Sequence, residues 1–254
     1  MIPVIINNRD LLTWPKAMVD KIKTLDGVGD IIIIDNGSTY QPLLDWYDTK
    51  PCEIIKVGNM GHTAPWGCGL VDKLGVPYVV TDPDLGIDDL PSDTLIVLNN
   101  KLNESPHLNK VGLKLDWESI TDRSPYYNHL QSYDKSRWET SNIENGIYTD
   151  VHIDTTFALY NVKHYFVGGG SLTAPYIAKH YPWELTEEDR NNNDEFSYYE
   201  DNVSLDQTGS FLAPYITTIG LYDNELNMVA IAKLPQPIKS EPNYPINFII
   251  RFDT

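Results

Sequence analysis

The chain has 254 residues, and its 36 acidic and 19 basic side chains give a formal net charge of -17. This length suits one large α/β domain or two small ones, and we predict one. The negative charge repels nucleic-acid phosphates and anionic lipid surfaces, and no cluster of Lys or Arg offsets it. We therefore expect no nucleic-acid partner. A phosphorylated ligand would need a metal ion, backbone amides or a few arginines to neutralise it.

The cysteines and the N-terminus indicate the compartment. Cys52 and Cys68 are too few for a disulfide framework, and neither stands in a CxxC pattern. The first residues lack the basic and long apolar stretches of a signal peptide, and no window approaches the roughly 20 apolar residues that span a bilayer. We expect a cytoplasmic, unprocessed protein without a membrane span.

The first hundred residues alternate between strand and helix patterns. Four consecutive isoleucines at 31–34 are typical of a strand that is buried on both faces of a parallel sheet. Thr13 stands where a helix cap is expected. In chain order, the patterns predict strands at 2–6, 31–34, 53–57 and 77–80 and helices at 14–25, 65–74 and 92–103. Such alternation indicates βαβ units and an open, doubly wound sheet.

The later chain has weaker patterns. Strands are predicted at 111–115 and 153–160, and β-like runs recur at 228–232 and 246–252. Residues 116–150 are polar and rich in Trp and Tyr, with little periodicity. That segment is either a loop that folds over an acceptor or an ordinary covering loop whose aromatic rings pack on the core.

The segment VVTDPDL at 79–85 carries the strongest chemical signal. Asp82 and Asp84 are separated by one residue at the end of an apolar strand, where they can reach a hard cation that also binds phosphate oxygens. The alternative is a solvated turn. Asn7, Asp35 and Asn59 also follow predicted strand ends, so the sheet would bring them to the same edge.

Two of these motifs, IIIIDNGST and VVTDPDL, resemble in order and spacing those of GT-A glycosyltransferases, especially the broad family 2 group. The opening PVIINNRDLLTWPKAMV and the later HYPWE resemble some bacterial and viral members, and the match is best over about residues 1–90. The resemblance implies an α/β fold of GT-A type, an open mixed sheet flanked by helices with a β-rich C-terminal extension. We predict a single domain, 1–254, with a nucleotide-sugar-binding half at 1–100, an acceptor-side half at 101–220 and the extension at 221–254.

The resemblance also implies roles around the nucleotide. Asp35 would contact the nucleobase or ribose, although an Asp-Asn-Gly turn alone explains its presence. Asn7 and Arg9 would line the nucleotide pocket, with Arg9 pairing with a phosphate or else with a surface carboxylate. Asn59 and His62 would belong to a loop beside the nucleotide or to a simple strand-to-helix connection.

Later residues supply the candidates for the rest of the metal shell and for the general base. By the same resemblance, His180 would complete the shell of Asp82 and Asp84, with Asp82 also facing the nucleotide sugar, or it is a packing histidine. Asp154 is the first candidate for the base that takes the acceptor proton. Asp194 and Glu195 are the second, and each of the three is otherwise solvated or structural.

These residues together predict a glycosyltransferase that depends on Mn²⁺ or Mg²⁺. It would move a sugar from a nucleoside-diphosphate donor, most commonly a uridine diphosphate sugar among similar enzymes, to a hydroxyl of a glycan acceptor, with inversion. A sugar-activating nucleotidylyltransferase is an alternative, although NNRDLLTWP lacks the glycine-rich phosphate loop of that class. A phosphatase of the haloacid dehalogenase type would carry its DxD after the first strand. A non-catalytic sugar-binding module remains the third alternative.

Overall fold

The computed structural model describes residues 1–149, 153, 156–162, 169–186, 188–189 and 195, and the strands at 215–222 and 228–239. The chain divides into two compact units, Met1–Tyr198 and Tyr199–Thr254. The prediction of a single domain with boundaries near residues 100 and 220 stays a prediction.

A mixed sheet of nine strands, counted over the described residues, is the frame of the first unit. Its spatial order is β3 (Glu53–Val57), β2 (Val28–Asn36), β1 (Ile2–Asn8), β4 (Tyr78–Thr81), β10 (Ala158–Tyr160), β6 (Lys110–Gly112), β11 (Gly169–Leu172), β9 (Ile147–Tyr148) and β8 (Ile143–Glu144). The first four strands of that order run parallel, and β10 is antiparallel to both of its neighbours. The predicted α/β class, an open mixed sheet flanked by helices, is confirmed.

A smaller sheet lies beside the first and contains β5 (Leu85–Gly86), β12 (Ile177–His180) and β7 (Lys114–Leu115), in that order. The strand predicted at 111–115 is therefore wrong as a single element. After β6 the Leu113 amide donates to the Thr156 carbonyl, and the Lys114 amide donates to the Tyr176 carbonyl. This exchange of backbone partners moves the chain from one sheet to the other.

The helices, in chain order, are α1 (Thr13–Ile22), α2 (Gln41–Asp48), α3 (Ala64–Gly67), α4 (Val71–Leu74), α5 (Thr94–Glu104), α6 (Tyr127–His129), α7 (Lys135–Glu139) and α8 (Tyr181–Glu184). A 3₁₀ turn (Gly61–Thr63) precedes α3, and a π-helical turn (Leu130–Asp134) joins α6 to α7. The single helix predicted at 65–74 is wrong, because Gly69 has φ 72° and separates α3 from α4.

Alternate residues of the central strands enter two different cores. Val4 and Ile6 of β1 pack with α1, α2 and α5 on one face, whereas Ile5 packs with α3 and α4 on the other. All three side chains are fully buried. The prediction of parallel strands buried on both faces is therefore confirmed for the centre of the sheet.

The second unit contains an antiparallel hairpin of β13 (Tyr215–Tyr222) and β14 (Met228–Lys239). The predicted run at 228–232 belongs to β14, and the predicted strand at 246–252 lies outside the described residues. Within the strand predicted at 153–160, the structure describes β10 at 158–160, and residues 154 and 155 lie outside the described residues. No helix in the described ranges is both long enough and apolar enough to cross a bilayer.

Candidate functional site

The carboxyl ends of the parallel strands meet at one edge of the sheet. Asn8 of β1 is paired with Asp35 of β2, Asp35 is paired with Lys56 of β3, and Ile6 is paired with Thr81 of β4. Asn7, Asp35 and the DPD turn that follows Thr81 therefore belong to the same edge, as the sequence predicted. Ligands of open α/β sheets bind at this kind of edge.

Hydrogen bonds from asparagine side chains hold the loop that follows β3 in place. Asn36 Nδ2 donates to the Gly61 carbonyl at 2.8 Å, and Asn36 Oδ1 accepts from the Met60 amide at 2.6 Å. Asn7 Nδ2 donates to the same Gly61 carbonyl at 3.2 Å, and Asn59 Oδ1 accepts from the Gly61 amide at 3.1 Å. The loop predicted to lie beside a nucleotide is thus attached to the ends of β1 and β2.

The Asp35 carboxylate forms the turn that its sequence context allowed. Its side chain is only 3 % exposed, and its Oδ1 accepts from the Ser38 amide at 3.1 Å. His62, in the 3₁₀ turn Gly61–Thr63, is exposed. Their proposed contacts with a nucleotide stay predictions.

Asp10 is a central residue of this edge that the sequence reasoning missed. It is fully buried with φ 55°, and its Oδ1 accepts from the amides of Thr39 at 2.6 Å and Tyr40 at 2.9 Å. Arg9 Nε lies 3.6 Å from Asp10 Oδ2, so Arg9 has a carboxylate neighbour within the protein. The Asp10 amide donates to Ser38 Oγ at 2.9 Å. No local pattern reveals Ser38, Thr39 and Tyr40 as partners, because they lie 28 to 30 residues further along the chain.

Asp84 and His180 come together across the small sheet. His180 is paired with Leu85, and the Tyr181 amide donates to the Asp84 carbonyl at 3.1 Å. His180 Nε2 then lies 3.5 Å from Asp84 Oδ2. Among the described residues, Asp84 Oδ1 and His180 Nδ1 are buried without a hydrogen-bond partner. Buried polar atoms without a partner are costly, so each of these two atoms is expected to bind water, an ion or a ligand.

The donor set of this pair fits a divalent cation. Carboxylate oxygen suits Mn²⁺ and Mg²⁺, and imidazole nitrogen is a ligand of divalent transition metals. Asp82 stands half-buried two residues before Asp84. Within the described ranges, no three His, Cys, Asp or Glu side chains are grouped closely enough to hold a metal on their own. Magnesium sites commonly use one or two protein carboxylates together with substrate phosphates, so a small protein donor set is typical of a shared site.

Tyr181 holds the His180 segment against the first half of the chain. Its ring stacks on that of Trp14 in α1, with the centroids 5.3 Å apart, and its hydroxyl donates to Asp88 Oδ2 at 3.0 Å. Burial, followed by the hydrogen bond and charge of Asp88, raises the pKa of Tyr181 to about 12. The ring also covers Gly86, where an added Cβ would lie 2.8 Å from Tyr181 Cζ. We call this set of contacts the Tyr181 latch.

Glu195 lies at the start of α1. Its carboxylate accepts from the amides of Leu12 and Thr13 and from the Thr13 hydroxyl. The predicted capping role of Thr13 is wrong, because Leu12 occupies the N-cap position and no cap side chain of the helix itself bonds there. Glu195 supplies the acceptors instead, and its predicted role as the base stays a prediction.

Aromatic residues from the segment 116–150 form a separate cluster. Trp117 is 6 % exposed, and the Lys114 Nζ lies 5.7 Å from the ring centroids of both Trp117 and Trp138. Trp183 packs against this cluster and contacts His180 edge-on, with centroids 4.7 Å apart. Trp117 is thus buried within this cluster, which is distinct from the two cores of the main sheet. The candidates Asp154 and Asp194 lie outside the described residues.

Comparison with known proteins yields structural likeness only. No family model matches the chain, and no curated protein does. A manganese and UDP-glucose complex of glucosyl-3-phosphoglycerate synthase from Mycobacterium tuberculosis aligns with 53 % of this chain and 51 % of its own length, at 19 % identity and a TM-score of 0.36. This chain thus spans about half of that synthase.

Two further solved structures align over more of the chain. Residues 1–349 of TarS from S. aureus cover 83 % of it and 74 % of their own length, at 12 % identity and a TM-score of 0.41. A CMP:2-keto-3-deoxy-manno-octonic acid synthetase with CTP covers 82 % and 87 %, at 8 % identity and a TM-score of 0.36. At these TM-scores and identities, the likeness carries no conclusion about the function of this chain.

Proposed function

We propose that this protein is a metal-dependent glycosyltransferase that uses a nucleoside-diphosphate sugar, with a uridine diphosphate sugar as the first choice of donor. The observation that carries the proposal is the Asp84–His180 pair at the carboxyl edge of the sheet. One buried oxygen and one buried nitrogen of the pair have no partner among the described residues. An acidic protein can hold a diphosphate at such a place when a cation lies between the two.

Asp84 and His180, with Asp82 two residues before Asp84 in the chain, are the residues that would hold Mn²⁺ or Mg²⁺. When bound, the cation would offset the negative charge that develops on the departing nucleoside diphosphate. On the nucleotide side, Asp35 would accept from the base or the ribose, and Arg9 would pair with a phosphate. The remaining lining comes from Asn7, Asn59 and His62, which lie in or beside the loop that follows β3.

The acceptor side uses residues of the later chain. Trp183, which touches His180, offers an aromatic face of the kind on which sugar rings pack. In an inverting transfer, the acceptor oxygen forms a bond to the anomeric carbon while the bond from that carbon to the diphosphate breaks. A carboxylate takes the acceptor's proton. Asp154 is the first choice for this base and Asp194 the second.

Calorimetric titration with uridine and guanosine diphosphates, each with and without Mn²⁺, tests the proposal. Metal-dependent binding of one of them is expected. Asp84→Ala should weaken this binding by at least about 10- to 100-fold. A loss of that size already follows when a residue that only supports a metal ligand is removed. Asp89→Ala is the matched control, since it removes the same charge from an exposed neighbouring position.

Two outcomes would overturn the assignment. Nucleotide binding that is equal with and without Mn²⁺ would remove the metal from the proposal, and full binding by Asp84→Ala would remove Asp84 from the site. Preferential binding of a nucleoside triphosphate over both diphosphates would favour a nucleotidylyltransferase instead.

A further inference from the structure

The start of α1 is completed by a residue from far along the chain. The first amides of an α-helix have no carbonyl partners within the helix, and they need acceptors from elsewhere. Glu195 supplies them through Oε1, which accepts from Leu12 and, at 2.8 Å, from Thr13. Its Oε2 accepts from the Thr13 hydroxyl at 2.6 Å. Both carboxylate oxygens are therefore engaged, and the negative charge lies at the positive end of the helix.

The same end of α1 also carries the latch that places His180. Trp14 follows Thr13 directly, and its ring stacks on Tyr181, the residue after His180. Glu195 and Tyr181 thus bind adjacent residues of one helix start. A change that disorders this turn of α1 would therefore also displace the Trp14 ring on which Tyr181 stacks.

We propose that Glu195 is a positioning residue: by capping α1 it keeps Trp14 in place for Tyr181, and thereby keeps His180 beside Asp84. The part that concerns the metal rests on the proposed function. The capping itself does not. This role differs from that of a general base, which needs a carboxylate that is open to the acceptor hydroxyl.

Substitution with Gln separates the two roles. A base must take up a proton, so Glu195→Gln would be as defective as Glu195→Ala. A cap must accept hydrogen bonds, and the Gln amide oxygen still accepts from the two backbone amides. The positioning role therefore predicts that Gln rescues most of what Ala loses.

The experiment measures two properties of Glu195→Ala, Glu195→Gln and the exposed control Glu188→Ala. The first is amide hydrogen exchange at Leu12 and Thr13, which should become about 2- to 30-fold faster in Glu195→Ala, the factor that corresponds to a lost N-cap. The second is Mn²⁺ affinity well below the melting temperature, which should fall by about 3- to 10-fold in the same variant, since the effect reaches the site through Trp14 and Tyr181.

The outcomes distinguish this inference from the proposed function. Unchanged exchange in Glu195→Ala would overturn the capping role. Faster exchange with unchanged Mn²⁺ affinity would overturn its link to His180. If the unaltered protein binds no Mn²⁺, the proposed function fails. The positioning role is then decided by fluorescence during heating, which reports whether the environment of Trp14 and Tyr181 changes in Glu195→Ala.

Discussion

The loops at the ends of β1 to β3 and the segment that carries His180 reach the same candidate site by different means. The loops are held by several hydrogen bonds from buried or half-buried side chains, notably those of Asp10 and Asn36. The His180 segment is held by two short strand pairings and the Tyr181 latch. The edge proposed to bind a nucleotide is thus organised within the parallel half of the sheet, whereas the position of His180, a proposed metal ligand, depends on packing between distant parts of the chain.

The two ways of holding the site predict different effects of substitutions. Changes among the buried acceptors of the loops should lower the stability of the whole first unit, because they leave backbone amides without partners. Changes in the Tyr181 latch should lower stability less, and those that move His180 should also weaken metal binding.

The largest effect on stability is expected at Asp10. Asp10→Ala removes the acceptor of the Thr39 and Tyr40 amides in a fully buried place, so the free energy of unfolding should fall by about 2–4 kcal/mol. Asp10→Asn keeps an oxygen acceptor and should lose clearly less. Urea denaturation measures both. An Asp10→Ala protein as stable as the unaltered one would show that the loops do not depend on this carboxylate.

A smaller effect is expected at Gly86. Gly86→Ala places a Cβ 2.8 Å from Tyr181 Cζ, so the ring must shift, at a cost of about 1–3 kcal/mol in unfolding free energy. Mn²⁺ affinity should fall with it, because His180 precedes Tyr181. Gly58→Ala is the control, since no atom of the described residues lies within 4 Å of its added Cβ. Equal Mn²⁺ affinity in the two variants would contradict the latch.

The smallest effect is expected at the Tyr181 hydroxyl. Tyr181→Phe keeps the stack on Trp14 and removes the hydrogen bond to Asp88, so the free energy of unfolding should fall by about 0.5–1.5 kcal/mol near neutral pH. Urea denaturation at a series of pH values measures the difference between the two proteins.

The pH dependence of that difference has a definite sign. Folding raises the pKa of Tyr181 from 10.0 to about 12, mainly through burial. The advantage of Tyr over Phe is therefore fully present below pH 10.0 and declines as the pH rises towards about 12. An advantage that grows over this interval would contradict the raised pKa.

Local patterns were sufficient for the edge of the sheet. The isoleucines at 31–34 predicted a strand buried on both faces, and β2 is such a strand, because period and side-chain type are local properties. The positions of Asn7, Asp35 and Asp82 followed, since parallel strands bring their carboxyl ends to one edge. The predicted helix at 65–74 and strand at 111–115 failed where backbone partners changed within a short stretch.

Local patterns predicted the alternation of strands and helices, the two-sided burial of the central strands and the edge at which acidic and amide residues collect. The folded arrangement was needed to show that Asp10 holds the turn before α2, that Glu195 caps α1 and that His180 lies beside Asp84. These contacts join residues that are far apart in the chain. Their energies depend on which groups are buried together, and no local period or propensity encodes that pairing.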